Sequence, residues 1–280
     1  MTRAENLVSV AELAPTRSRV RLLDVRWSLT DAAGEGRRRY AEGHLPNAHF
    51  LDLEEVLTAH TGDPLDGRHP LPQVETLAAG LGALGVSELD DIVVYDEPGS
   101  FAAERAWWVL RSVGLHVRVL DGGLPAWVEA GLALEPGEPG PPVPTRLVLT
   151  SGQLPTIGVD AAAAFSEHGV LVDGRAGERY RGEVEPIDPR AGHIPGAVNV
   201  PAASLYDEGR MPADDELRRR LAPALAAVPG RPAVAAYCGS GVSAARDVLA
   251  LAVLGVDAAL FPGSWSAWSN DPNRPAALGP

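Results

Sequence analysis

The chain has a single cysteine in 280 residues, Cys238, and little positive charge: 24 basic residues stand against 37 Asp and Glu, a formal charge of −13. A lone cysteine has no intramolecular disulfide partner, so nothing in the composition asks for an oxidising compartment. The shortage of cations argues against nucleic acid or an anionic membrane as a partner. It also means that an anionic small molecule must be met by a local cluster of arginines. Long apolar runs are missing as well, none approaching the ~18 residues of a membrane helix. Residues Met1 to Asn6 lead into no hydrophobic segment of the kind that directs secretion, and a cytoplasmic protein is expected. No Cys/His cluster has metal-ligand spacing and no glycine-rich phosphate loop follows a strand, so no cofactor is expected. What remains is ordinary for a globular protein, 45% hydrophobic and 22% charged. The length suits two domains of about 150 residues, each with its own core.

The one cysteine lies in an unusual place. The run Ala233-Val234-Ala235-Ala236-Tyr237 reads as a buried strand, and Val242 to Leu254 is rich in Ala, Leu and Val and reads as a helix. Cys238 therefore falls on a strand-to-helix turn, where unpaired helix N–H groups and the positive end of the dipole point into the loop. Gly239 and Gly241 let the backbone curl, so that N–H groups of the stretch through Val242 and Ser243 can converge on one atom. Such surroundings favour a thiolate, the reactive form of cysteine. The plainer reading is a small apolar residue in a core, but core packing requires neither the glycines nor the helix start.

The chain also contains itself twice. Leu22-Leu23-Asp24-Val25-Arg26 matches Val170 to Arg175, and Gly43-His44-Leu45-Pro46 matches Gly192-His193-Ile194-Pro195. Asp90 to Asp96 matches the strand ending at Tyr237-Cys238, and Gly122 to Trp127 matches Gly263 to Trp268. Four matches in one order indicate a duplicated domain. Each copy alternates short apolar strands with helical patterns, which predicts an α/β fold with a mainly parallel sheet flanked by helices. Between the copies lies a proline-rich stretch with Pro136, Pro139, Pro141, Pro142 and Pro144, a stiff extended linker. The expected division is a domain over 1–135, a linker over 136–157 and a domain over 158–280. Trp107, Trp108, Trp127, Trp265 and Trp268 read as core and interdomain packing. His60 and His69 read as isolated surface or turn residues.

Cys-Gly-Ser-Gly-Val-Ser-Ala, residues 238–244, resembles the active-site loop of the tandem-domain rhodanese family, and is most similar to its 3-mercaptopyruvate sulfurtransferase branch. The resemblance implies two rhodanese-like domains and a cysteine that carries a persulfide between a sulfur donor and a thiol or cyanide acceptor, thioredoxin being one such thiol. The first copy has Asp96 at the cysteine position, and a carboxylate cannot accept sulfane sulfur. That domain should be silent and should wall one side of the cleft. By the same resemblance Arg179 binds the donor, with Arg190 as a second arginine, while Gly239, Gly241, Val242 and Ser243 hold the sulfur. His44 is implied in a proton relay with Ser240 and an acidic residue, Glu35 or Asp31. The paired Asp24/Arg26 and Asp173/Arg175 read as structural. Gly239 and Ser240 are neutral where the thiosulfate branch has two cations, which favours mercaptopyruvate over thiosulfate as donor. A cysteine phosphatase would need an arginine at Ala244, and the first arginine, Arg246, comes two residues late. A non-catalytic sulfur carrier is the remaining alternative.

Overall fold

The computed structural model describes residues 2–225 and 233–280. Two all-parallel sheets organise the chain. The first runs in the order β1 (Leu7–Val8), β5 (Val117–Leu120), β4 (Ile92–Tyr95), β2 (Arg21–Asp24) and β3 (His49–Phe50). The second runs β7 (Val198–Asn199), β6 (Gly169–Asp173), β8 (Ala233–Tyr237) and β9 (Ala258–Leu260). Strands β4 and β6 are buried along their whole length, and β8 is buried from Val234 onward. Helices cover both faces, which is why these strands read as unbroken apolar runs and not as an alternation.

The two sheets agree in register as well as in order. Asp24 of β2 lies beside Tyr95 of β4, as Asp173 of β6 lies beside Tyr237 of β8. The Tyr95 hydroxyl accepts the Leu45 N–H and the Tyr237 hydroxyl accepts the Ile194 N–H. Each copy carries the same buried ion pair: Arg26 on Asp24 at 2.8 Å and Arg175 on Asp173 at 2.6 Å. Each of these arginines also donates to the glycine carbonyl before the histidine, Gly43 or Gly192. The pairs tie a strand end to the Gly-His turn and are structural in both halves. Where β1 runs along β5 in the first sheet, the described residues of the second have a single parallel bridge, Thr156 to Leu260. Between Pro136 and Pro155 there is no helix or strand, and the chain lies against the first sheet's domain through Thr145 N–H to Gly82 O and Gln153 N–H to Ser112 O.

The halves are joined by equivalent helices, Ala102–Ser112 after β4 and Ala244–Val253 after β8. One apolar cluster passes through both domains, from Leu23 and Val94 through Trp107 and Trp108 to Val172 and Leu249. Trp127 packs in a smaller cluster of the first half, Trp265 and Trp268 in one of the second. Across the junction Arg246 donates to Glu104 at 2.9 Å, with both side chains buried. The helix that follows Cys238 is thereby tied to the one that follows Asp96, and Arg246 also donates to the Ser100 carbonyl at 2.7 Å.

Candidate active site

Cys238 follows the last residue of β8 and is 2% exposed. Its own N–H donates to Ser264 Oγ at 3.1 Å, and its carbonyl accepts the Trp265 N–H at 2.9 Å. The Ser266 N–H holds the next carbonyl, that of Gly239, at 2.9 Å. The start of the helix Ser264–Asn270 thus fixes the loop's outer side. Gly241 has φ 77°, and a β-carbon there would lie 2.5 Å from the Pro262 carbonyl, so only glycine fits the bend. The bend aims the Gly241 N–H at Cys238 Sγ, 3.2 Å away. Val242 and Ser243 follow, and both line the cleft in front of the thiol.

That cleft encloses about 360 Å³ and is built by both halves. Trp27, Arg68 and Phe101 form one wall; Arg179 and the loop from Cys238 to Ser240 form the other. Arg179 lines it, fixed by Glu185 at 2.6 Å and Asp188 at 3.1 Å. Its companion is not Arg190. Arg190 donates to the carbonyls of Trp268, Ser269, Asp271 and Arg274, at 2.7–2.9 Å, and so caps the end of the helix Ser264–Asn270. A guanidinium committed to four main-chain acceptors serves the fold. The second cation comes from the other domain: Arg68, which pairs with the same buried Asp188. A β-carbon at Gly239 would lie 3.1 Å from Arg68 Nη2 and 3.6 Å from Arg179 Nη1. The loop is neutral where the cations converge on it.

The histidine also needs correcting. His44 Nδ1 bonds the Tyr40 carbonyl at 3.0 Å with its ring stacked on Tyr40, and His193 repeats this on Tyr180 at 2.8 Å. Both are turn residues. Glu35 pairs with Arg38, and Asp31 with Arg39, so neither suggested acid faces His44. The ring that reaches the loop is that of His69, with Nδ1 at 2.7 Å from Ser240 Oγ and Nε2 at 3.2 Å from Glu54 Oε1. A carboxylate can only accept, so Nε2 carries a proton, and in the neutral ring Nδ1 is then the acceptor for the serine hydroxyl. Trp27 Nε1 donates to the same Glu54 oxygen at 3.0 Å and its ring meets the His69 edge. The hydrogen bond from His69 leads in holding the Glu54 carboxyl below its usual range, against the opposing effect of burial. His69 is 4% exposed and is not a surface residue.

His69 and Arg68 escaped the sequence reading because no local motif marks them. A signal does exist in the duplication. Asp66-Gly67-Arg68-His69-Pro70 has a counterpart in Glu208-Gly209-Arg210-Met211-Pro212, and Met211 is buried core. A histidine in one copy where the other keeps a methionine is the same kind of difference as Asp96 against Cys238.

A rhodanese-like domain model matches residues 9–130 and again 159–271. The chain belongs to the rhodanese-like domain family. Among its relatives, a Mycobacterium tuberculosis protein named "Putative thiosulfate sulfurtransferase SseB" is 46% identical over 286 residues, covering 99% of this chain and 98% of that one. The 3-mercaptopyruvate sulfurtransferase of Escherichia coli is 38% identical over 241 residues, covering 82% of each. Among solved structures, the 3-mercaptopyruvate sulfotransferase SseA from Escherichia coli superposes with a TM-score of 0.82 at 33% identity, over 95% of this chain and 99% of that one. The expected family and the paired parallel sheets are both borne out. The protein is a two-domain sulfurtransferase of the rhodanese-like family.

Proposed function

We propose that this enzyme takes sulfur from 3-mercaptopyruvate onto Cys238 and passes it, as a persulfide, to a thiol or to cyanide. The observation that carries the reading is the chain Glu54–His69–Ser240 ending at the cysteine loop. Mercaptopyruvate presents its sulfur as a thiol on a carbon next to a ketone. The Cys238 thiolate attacks that sulfur, the S–S bond forms and the C–S bond breaks, and the electron pair leaves as the enolate of pyruvate. The sulfur's proton then moves to the enolate carbon, leaving a Cys238 persulfide anion and pyruvate. A hydroxyl on a histidine of fixed tautomer suits that transfer. Thiosulfate has no such proton to move. Arg68 and Arg179 beside Gly239 suit the donor's carboxylate and keto oxygen. A small thiol, a protein thiol such as that of thioredoxin, or cyanide can then remove the outer sulfur, in a cytoplasmic setting on this reading.

The second reading keeps the persulfide and takes thiosulfate as donor. Two guanidinium groups flanking Gly239 favour it, since they place charge where the loop's own side chains have none. Steady-state kcat/KM for both donors at one ionic strength decides between them. Higher efficiency with mercaptopyruvate, together with one added sulfur in the intact mass that cyanide removes, is the expected result. Better turnover of thiosulfate overturns the donor, and an unchanged mass with either donor overturns the persulfide.

A further inference from the structure

The second domain carries a loop that the first does not. Tyr40 and His44 are 4 residues apart, whereas Tyr180 and His193, which repeat their stacking, are 13 apart. The added length includes Glu183 to Arg190, and the loop is pinned twice. Glu185 accepts the N–H groups of Ile187 and Asp188 at 3.1 and 3.0 Å, and Arg190 is committed to the carbonyls of the helix end. Between these anchors the loop presents Asp188. Its side chain is 1% exposed, and its two oxygens serve two domains. Oδ1 pairs with Arg68 of the first, and Oδ2 pairs with Arg179 Nη2 of the second at 3.1 Å.

Asp188 fixes how each arginine is used. Arg68 spends Nη1 on it, and Arg179 spends Nε and Nη2 on Glu185 and Asp188. Arg68 Nη2 and Arg179 Nη1 make no hydrogen bond among the described residues, and they are the two atoms that would stand nearest a β-carbon at Gly239. These nitrogens are left to meet a donor. Their charge, however, is already balanced. Three guanidinium groups line the cleft, those of Arg68, Arg175 and Arg179, and three carboxylates are paired with them, Asp173, Glu185 and Asp188. The site therefore offers directed N–H groups with little net charge. Burial raises the Asp188 carboxyl, with the charge of Arg68 as the first opposing effect. Taking a carboxylate out of water is costly, and this one lies on a loop that the first domain does without. Held from both sides, it stays when a donor arrives. It repels any anion that the arginines attract, and a doubly charged anion about twice as strongly as a singly charged one.

We propose that Asp188 is a specificity-determining residue: it aims one nitrogen each of Arg68 and Arg179 at the Gly239 loop and cancels enough of their charge that the cleft favours a singly charged donor over a doubly charged one. The proposal rests on Cys238 taking sulfur from an anionic donor in this cleft, and it weighs against thiosulfate, a dianion. Its test measures binding without turnover. Sulfate and pyruvate, a dianion and a monoanion with no sulfur to transfer, are titrated for their protection of Cys238 against iodoacetamide at pH 8 and one ionic strength. The parent, Asp188→Asn and Asp188→Glu are compared, with circular dichroism and thermal melting as controls for folding. In Asp188→Asn the affinity for sulfate relative to pyruvate should rise about 10-fold, the effect of one charge across the width of a guanidinium in a partly screened site. Asp188→Glu keeps the charge, so its ratio should stay near the parent's while both affinities fall as the nitrogens are re-aimed. A folded Asn variant with an unmoved ratio overturns the proposal, and so does a Glu variant whose ratio moves as far. Failure of both anions to protect the parent also overturns it, since the two nitrogens then meet no anion. Should Asp188→Asn not fold, the ratio is compared between Arg68→Gln and the double variant Arg68→Gln with Asp188→Asn, which removes the buried pair as a whole. The same rise is expected there, and equal ratios overturn the idea. Protection needs no sulfur transfer, so a parent that turns over neither donor defeats the function and leaves these affinities standing.

Discussion

The loops after β4 and β8 have the same frame and opposite contents. Gly99, at φ 81°, stands where Gly241 stands at 77°, and a helix follows each loop. In the second domain the bend presents an N–H to a sulfur; in the first, Asp96 fills the corresponding place with a carboxyl that accepts the Ala103 N–H at 3.0 Å. Glu97 replaces Gly239 and is bound to Arg39, and Pro98 replaces Ser240, which removes both the relay hydroxyl and an N–H. The first loop carries its own buried carboxyl group in that place, whereas the second is built to receive an anion. On the proposed reading, the first domain's silence is a property of several positions. Cys238→Ser should abolish turnover and the added sulfur altogether. Combining it with Asp96→Cys, which restores a cysteine to the first loop, should restore neither. A sulfur found on residue 96 after incubation with donor would show that the backbone bend alone suffices.

The same comparison separates the two histidines. His44 and His193 are a matched pair serving matched turns, while His69 has no matching histidine. With mercaptopyruvate, His69→Asn should lower kcat by roughly 10²-fold, the low end for loss of a positioned proton carrier. With thiosulfate the loss should be much smaller. His44→Asn should leave both rates alone and reduce stability by about 1 kcal/mol, through the lost bond to Tyr40. Equal rate losses for both donors in His69→Asn would return that residue to packing.

This asymmetry explains what was legible in the chain. The sheets, the duplication, the cysteine loop and the Asp/Arg pairs repeat as local motifs, because each depends on residues close together in sequence or on a strand register. The relay does not. His69 reaches Ser240 because Gly67 packs against Gly263 and Arg68 N–H bonds Ser266 Oγ, contacts between domains that no local pattern encodes. The family motif pointed to the Gly-His turn, where a histidine is present for its stacking on tyrosine. Arg190 misled for a similar reason. In the second copy Tyr180 and His193 are separated by a longer loop than Tyr40 and His44, and this loop supplies Asp188 to the site while sending Arg190 to a helix end.

The smallest effect falls on the silent side of the comparison and concerns stability, not rate. Asp96 is buried beside Glu104, and burial first, then that neighbour's charge, raise its carboxyl from 3.8 to about 7, with the Ala103 N–H and Arg246 opposing. The folded state therefore binds a proton that the unfolded chain has released between about pH 4 and pH 7. Stability must fall as pH rises through that window, and the penalty is constant above it. An asparagine has no proton to lose, and its amide oxygen can still accept the Ala103 N–H. Asp96→Asn should match the parent at pH 4 in urea unfolding and gain progressively to about pH 7. The gain should then level off at a few kcal/mol, on the order of 1 kcal/mol for each pH unit of that window. Donor turnover should be unchanged, since Asp96 is not among the residues that line the cleft. If the variant is instead less stable than the parent at pH 8, the ionised carboxylate is welcome beside Arg246, and the first loop holds a salt bridge where a neutral acid is inferred.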